Sequence, residues 1–183
     1  MEVDRTPGIR PRPSVWRSLD LVSRQSFPTL STAVGMLLIA APIGLPGQAE
    51  LLAGFALAAV FFWALFRPSS IPPAIVFALG LLGDLLGFGP LGVRVLILLL
   101  TYGLAVRWRR RLAKQQFVLV WLAFVAVAAG AAALEWALDS LLALQLLPPA
   151  AGMFEFVLTA GLYPGLAAAL TRAHRGLAAW EQV

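Results

Sequence analysis

Cysteine is absent from this 183-residue chain and histidine occurs once, at His174, so disulfides and thiolate or imidazole metal sites are excluded on residue count alone. Charge is scarce as well. Only 13% of the residues are charged against 60% that are apolar, whereas a soluble domain carries about 25% and about 45–50%. That imbalance excludes an ordinary soluble domain. The motifs of common chemistries are missing too: no paired His and Glu for a metal, no phosphate-cradling Gly-rich loop with its Lys, no Ser in a nucleophile elbow. Gly87-Phe88-Gly89 lacks the strand and helix context of a nucleotide fingerprint. The expectation is therefore a protein that is not an enzyme and carries no cofactor. A net charge of +5 would raise nucleic acid as a partner for a soluble chain, but the placement of the charges decides against it.

What the chain does contain is a series of long uncharged runs. A helix needs roughly 20 mostly apolar residues to cross a hydrocarbon core about 30 Å thick. Six runs qualify as candidates: Phe27 to Leu45, Leu51 to Phe66, Ile71 to Gly87, Leu91 to Val106, Phe117 to Leu138, and Ala150 to Thr171. Helix breakers stand between them: Pro46-Gly47, Arg67-Pro68, the Gly87, Gly89 and Pro90 turn that leads into Gly92, and Pro148-Pro149. The predicted fold is all-α, a compact bundle of about six transmembrane helices over 27–171, with a basic arm at 1–26 and a tail at 172–183. In the arm, Val15, Trp16, Leu19 and Val22 recur at helical spacing, which suits a short interfacial helix; a disordered arm is the other reading. A cleaved signal peptide over Phe27 to Leu45 is set aside, because its basic region would be 26 residues long and no soluble domain follows.

Basic residues in short loops stay on the cytoplasmic side. Thirteen of the 14 fall on one face: Arg5, Arg10, Arg12, Arg17 and Arg24 in the arm, Arg67 in the second loop, Arg107, Arg109, Arg110, Arg111 and Lys114 in the fourth, Arg172 and Arg175 in the tail. Both ends of the chain are expected in the cytoplasm. The Arg107 to Lys114 run serves as a topology anchor or an attractor of anionic lipid. The fourteenth basic residue, Arg94, lies inside a span.

An ionisable residue inside a spanning helix costs about 2.5–3.5 kcal/mol on insertion scales, so each needs a partner, water or a function. Asp84 and Arg94 flank one short hairpin at matched depth, which predicts an ion pair acting as a hairpin clamp, a functional site, or both. Glu135 and Asp139 share a helix face near the outer end of span five, and Glu155 enters span six at similar depth. Either these three simply face outer water, or they form with Asp84 an acidic cluster whose excess charge a partner's cations neutralise. Glycine pairs Gly83/Gly87 and Gly161/Gly165 suit close helix approach, and the small face from Ala126 to Ala133 places span five inside the bundle.

The stretch from Gly80 to Leu96 carries a small-residue helix with Asp84, the turn Gly87 to Pro90, and Leu91-Gly92 opening the next helix, with Arg94 after it. This resembles the signature of the rod-shape-determining membrane protein family MreD, as does Arg67-Pro68 before span three. The specific likeness covers roughly 30 residues, from Arg67 to Leu96; the long basic arm and the Glu135/Asp139 pair depart from it. The resemblance implies a non-enzymatic component of the bacterial inner membrane, acting in lateral wall elongation. Its partners would be periplasmic MreC and, directly or indirectly, MreB, RodA and its transpeptidase. It also implies a fold similar to the substrate-binding subunits of energy-coupling-factor transporters, whence the alternative reading: a solute-binding subunit with the outer cluster lining its pocket.

Overall fold

The computed structural model describes the backbone of residues 15–41, 44, 46–87 and 89–179, and the side chains of those from 27 to 172 except 151. Most of the basic arm and the end of the tail therefore lie outside the described residues. Among the described residues six helices follow one another: α1 (Val15–Ala40), α2 (Gln48–Phe66), α3 (Pro73–Gly87), α4 (Val93–Leu112), α5 (Phe117–Leu142) and α6 (Ala150–Ala179), with a 3-10 turn at Pro68–Ser70. No strand occurs among the described residues. Among the described residues, three helices are long and apolar enough to cross a bilayer: α2, α5, and α6 over Gly152–Arg172. The apolar part of α1, Phe27–Ala40, and α3 are shorter, and α4 reaches 20 residues only by including the basic run at its end.

Each boundary has a local cause. The helix α1 starts at Val15, so the end of the basic arm is helical and runs straight into the first apolar stretch. It stops at Ala40, five residues earlier than the apolar run predicts, two residues before Pro42, which has no N–H to extend the ladder. Gln48, the first residue of α2, turns its amide back and donates to the carbonyls of Ile39 and Ala41, satisfying the end of α1. Gly47 enters α2 at a φ of 80° and Gly92 enters α4 at a φ of 98°, a conformation that glycine adopts without steric cost. Proline opens α3 at Pro73, where a missing N–H costs nothing.

The centre of the bundle is α2, packed on all the other helices. Almost every residue from Leu52 to Leu65 is buried, including Phe61 and Trp63. Small residues occur all the way round it, at Ala53, Gly54, Ala56, Ala58, Ala59 and Ala64, so neighbours approach from every side. The small face of α5 was expected inside, and it is not: Ala126, Ala129, Gly130 and Ala133 point outward, and only a stripe including Val120, Phe124, Val127 and Ala128 is buried. In lipid there is no hydrophobic penalty for an outward apolar face, so apolarity and small side chains on α5 did not compel burial.

The glycines differ in whether they mark a contact between helices. A Cβ on Gly80 would lie 2.6 Å from Cα of Val95, so α3 and α4 meet backbone to backbone there. Nothing stands within 4 Å of a Cβ on Gly161 or Gly165, so that pair makes no close approach among the described residues. The proline beside them has a different consequence. Pro164 inside α6 cannot donate to the carbonyl of Ala160, and the indole Nε1 of Trp121 on α5 donates to that carbonyl at 3.0 Å instead.

Candidate functional site

The helices alternate in direction, so the first turns of α2, α4 and α6 share one end of the bundle with the last turns of α3 and α5. Between residues 27 and 172 the carboxylates are Glu50, Asp84, Glu135, Asp139 and Glu155, and all five line one vestibule of about 230 Å³ at that end. Arg94 is the only basic side chain lining it among the described residues. Arg67, the Arg107 to Lys114 run and Arg172 stand at the opposite end, at the close of α2 and α4 and in the second half of α6.

Asp84 is 2% exposed, and its carboxylate accepts from the backbone N–H of Gly92 at 2.7 Å and of Arg94 at 3.0 Å. These are orphan donors of the first turn of α4, where the helix dipole also favours an anion. The carboxylate therefore clamps α3 to α4 by capping it. The expected Asp84 to Arg94 side-chain pair is corrected accordingly: the residues meet through Arg94's main chain. The Arg94 stem runs over the glycine face of α3, with Cδ 3.4 Å from a Cβ built on Gly83 and Nε 3.5 Å from one on Gly87. Those glycines seat a side chain rather than a helix backbone.

The Arg94 guanidinium then reaches α5, where Nη2 lies 3.2 Å from Oε1 of Glu135, both side chains being about 15% exposed or less. It is the one ion pair among the described residues with described side chains. One chain of contacts thus joins α3, α4 and α5 through Asp84, Arg94 and Glu135. Glu155 on α6 lines the same vestibule as Glu135. Asp139 is left over: its Oδ1 is a buried acceptor with no hydrogen-bond partner. The rim is fastened by Trp136, whose Nε1 donates to the Leu147 carbonyl at 2.9 Å, and by Ser140, whose Oγ accepts from Leu147 N–H at 3.3 Å.

Of the turn residues, Gly92 carries the positive φ, Gly87 receives the arginine, and Gly89 and Pro90 line the vestibule. The basic run Arg107, Arg109, Arg110, Arg111 and Lys114 is fully outward at the far end. Sequence reasoning missed two members. Glu50 was passed over because it precedes the apolar run, although its place just after Pro46-Gly47 put it at the same end. Trp136 adjoins Glu135 in sequence, but no local pattern pairs its indole with the Leu147 carbonyl.

Among the described residues, no group of three or more His, Cys, Asp or Glu is arranged to hold a metal ion. What the vestibule offers is a formal excess of acidic groups, five carboxyls to one guanidinium among the described residues, around a space open to the outside. A family model for the rod shape-determining protein MreD matches residues 22–167. No curated protein and no solved structure matches the chain.

Proposed function

The chain belongs to the rod shape-determining protein MreD family and so has a role in rod shape determination; from that premise we propose that it is a non-catalytic scaffold of the cell-wall elongation machinery in the bacterial inner membrane. The acidic vestibule lies in the outer leaflet and docks the spanning helix of an MreC-like partner, whose flanking basic residues offset the excess carboxylate charge. Through that partner the protein is linked to MreB and to RodA with its transpeptidase. Both ends of the chain lie in the cytoplasm, an orientation supported by the basic residues at the end opposite the vestibule.

The observation that carries the reading is the charge imbalance combined with the free acceptor on Asp139. A buried acceptor without a donor is costly, and a lysine or arginine from a second helix satisfies both demands at once. The test is co-purification of the tagged full chain from a rod-shaped Gram-negative host, compared with Glu50→Lys/Asp139→Lys, whose folding is checked by its unfolding temperature. Recovery of MreC with wild type and its loss with the folded variant is the expected result. Undiminished recovery with the folded variant sinks the docking idea, and recovery of an ATP-binding transporter pair instead favours transport.

A further inference from the structure

The basic end of the bundle has a cavity of its own. A groove of about 550 Å³ opens between the end of α2, the turn from α4 to α5, and the second half of α6. Its floor is aromatic and held from several sides: Tyr163 is 1% exposed and stacks on Phe124 at 4.2 Å and on Phe117 at 6.5 Å. Ala168 keeps the α6 wall low, so the trough stays open along that helix. The lip is cationic. Arg172 lines the groove, and Lys114 stands between Ala113 and Gln115, which also line it. No carboxylate is among the described residues that line it.

An apolar trough with a lip of one charge is complementary to an amphiphile whose head carries the other. The dimensions agree with a bilayer lipid. From Tyr163 to Arg172 the groove follows nine residues of α6, about 13 Å at 1.5 Å per residue, against about 15 Å for the hydrocarbon depth of one leaflet. We infer that the groove holds one acyl chain of an anionic phospholipid from the leaflet at this end, with its phosphate on Arg172 and Lys114. The site is distinct from the acidic vestibule and from Arg107, Arg109, Arg110 and Arg111 on α4, and it does not depend on which partner docks at the other end.

The test is native mass spectrometry of the full chain, titrated in detergent with phosphatidylglycerol and with phosphatidylcholine of the same acyl chains. Phosphatidylglycerol should bind wild type about fivefold or more tighter, the effect of one basic contact with an anionic lipid. Arg172→Gln should lose about that factor for phosphatidylglycerol alone, whereas Ala168→Trp, which fills the trough from an exposed position, should weaken both lipids. Arg109→Gln/Arg110→Gln, outside the groove, should keep the preference. Equal binding of the two lipids by wild type overturns the inference. So does wild-type phosphatidylglycerol binding by a folded Ala168→Trp or Arg172→Gln, or an equal loss in the Arg109→Gln/Arg110→Gln control. A change of oligomeric mass in Ala168→Trp with lipid binding unaltered would make a second copy the occupant and overturn it as well.

Discussion

Separating the Asp84 cap from the Arg94 ion pair predicts a specific ranking in double-mutant cycles. The pair to remove is Arg94 and Glu135, with Arg94→Met and Glu135→Gln as the single changes. At 3.2 Å two opposite unit charges attract by about 5 kcal/mol at an effective dielectric of about 20. Side-chain ordering and the other vestibule carboxylates reduce that figure, leaving an expected coupling of about 2–3 kcal/mol. Arg94→Met alone should cost about 3–5 kcal/mol, since it strands a mostly buried carboxylate beside Glu155. The companion cycle pairs Asp84→Asn with Arg94→Met. Because Asp84 accepts from the Arg94 main chain, which survives the substitution, its coupling should be about 1 kcal/mol or less. Both cycles are read by reversible unfolding of the purified protein in mixed detergent micelles. A coupling between Asp84 and Arg94 as large as that between Arg94 and Glu135 would refute the capping account and restore a direct ion pair.

Three further outcomes follow from packing and hydrogen bonding. Gly80→Ala should destabilise by about 1–3 kcal/mol, since the new Cβ meets backbone that cannot yield, while Gly103→Ala, with nothing within 4 Å, should be neutral or stabilising; thermal unfolding in detergent compares them. Trp121→Phe removes the donor from the Ala160 carbonyl and should cost about 1–3 kcal/mol, but much less in a Pro164→Ala background, where the helix regains its own N–H. Asp84→Ala should raise hydrogen exchange at the Gly92 and Arg94 amides by on the order of tenfold or more, an effect confined to the first turn of α4.

Much of the architecture was legible because it follows from local chemistry. The uncharged runs and the proline and glycine breaks marked six helices, and the observed ones start or end within a few residues of them, with Pro42 as the overlooked stop. The short hairpin after Gly87 brought Asp84 to the start of α4, so that juxtaposition was readable too. Its bonding partner was not, because a carboxylate at that depth can reach either a guanidinium or two unpaired amides, and only the backbone geometry at Gly92 aims the amides at it.

What the sequence by itself determined is the set of elements and their charge polarity, since span length, breakers and basic residues act within a single helix or loop. Which helix sits in the middle was decided only by tertiary packing. Both α2 and α5 are largely apolar with small residues on every side, and lipid accepts either one on the outside; only the way the other helices pack puts α2 in the middle. The same holds for the Arg94 route across Gly83 and Gly87 to Glu135, which exists because α3, α4 and α5 converge at one end. Contacts between elements distant in sequence depend on that convergence, and no local pattern encodes it.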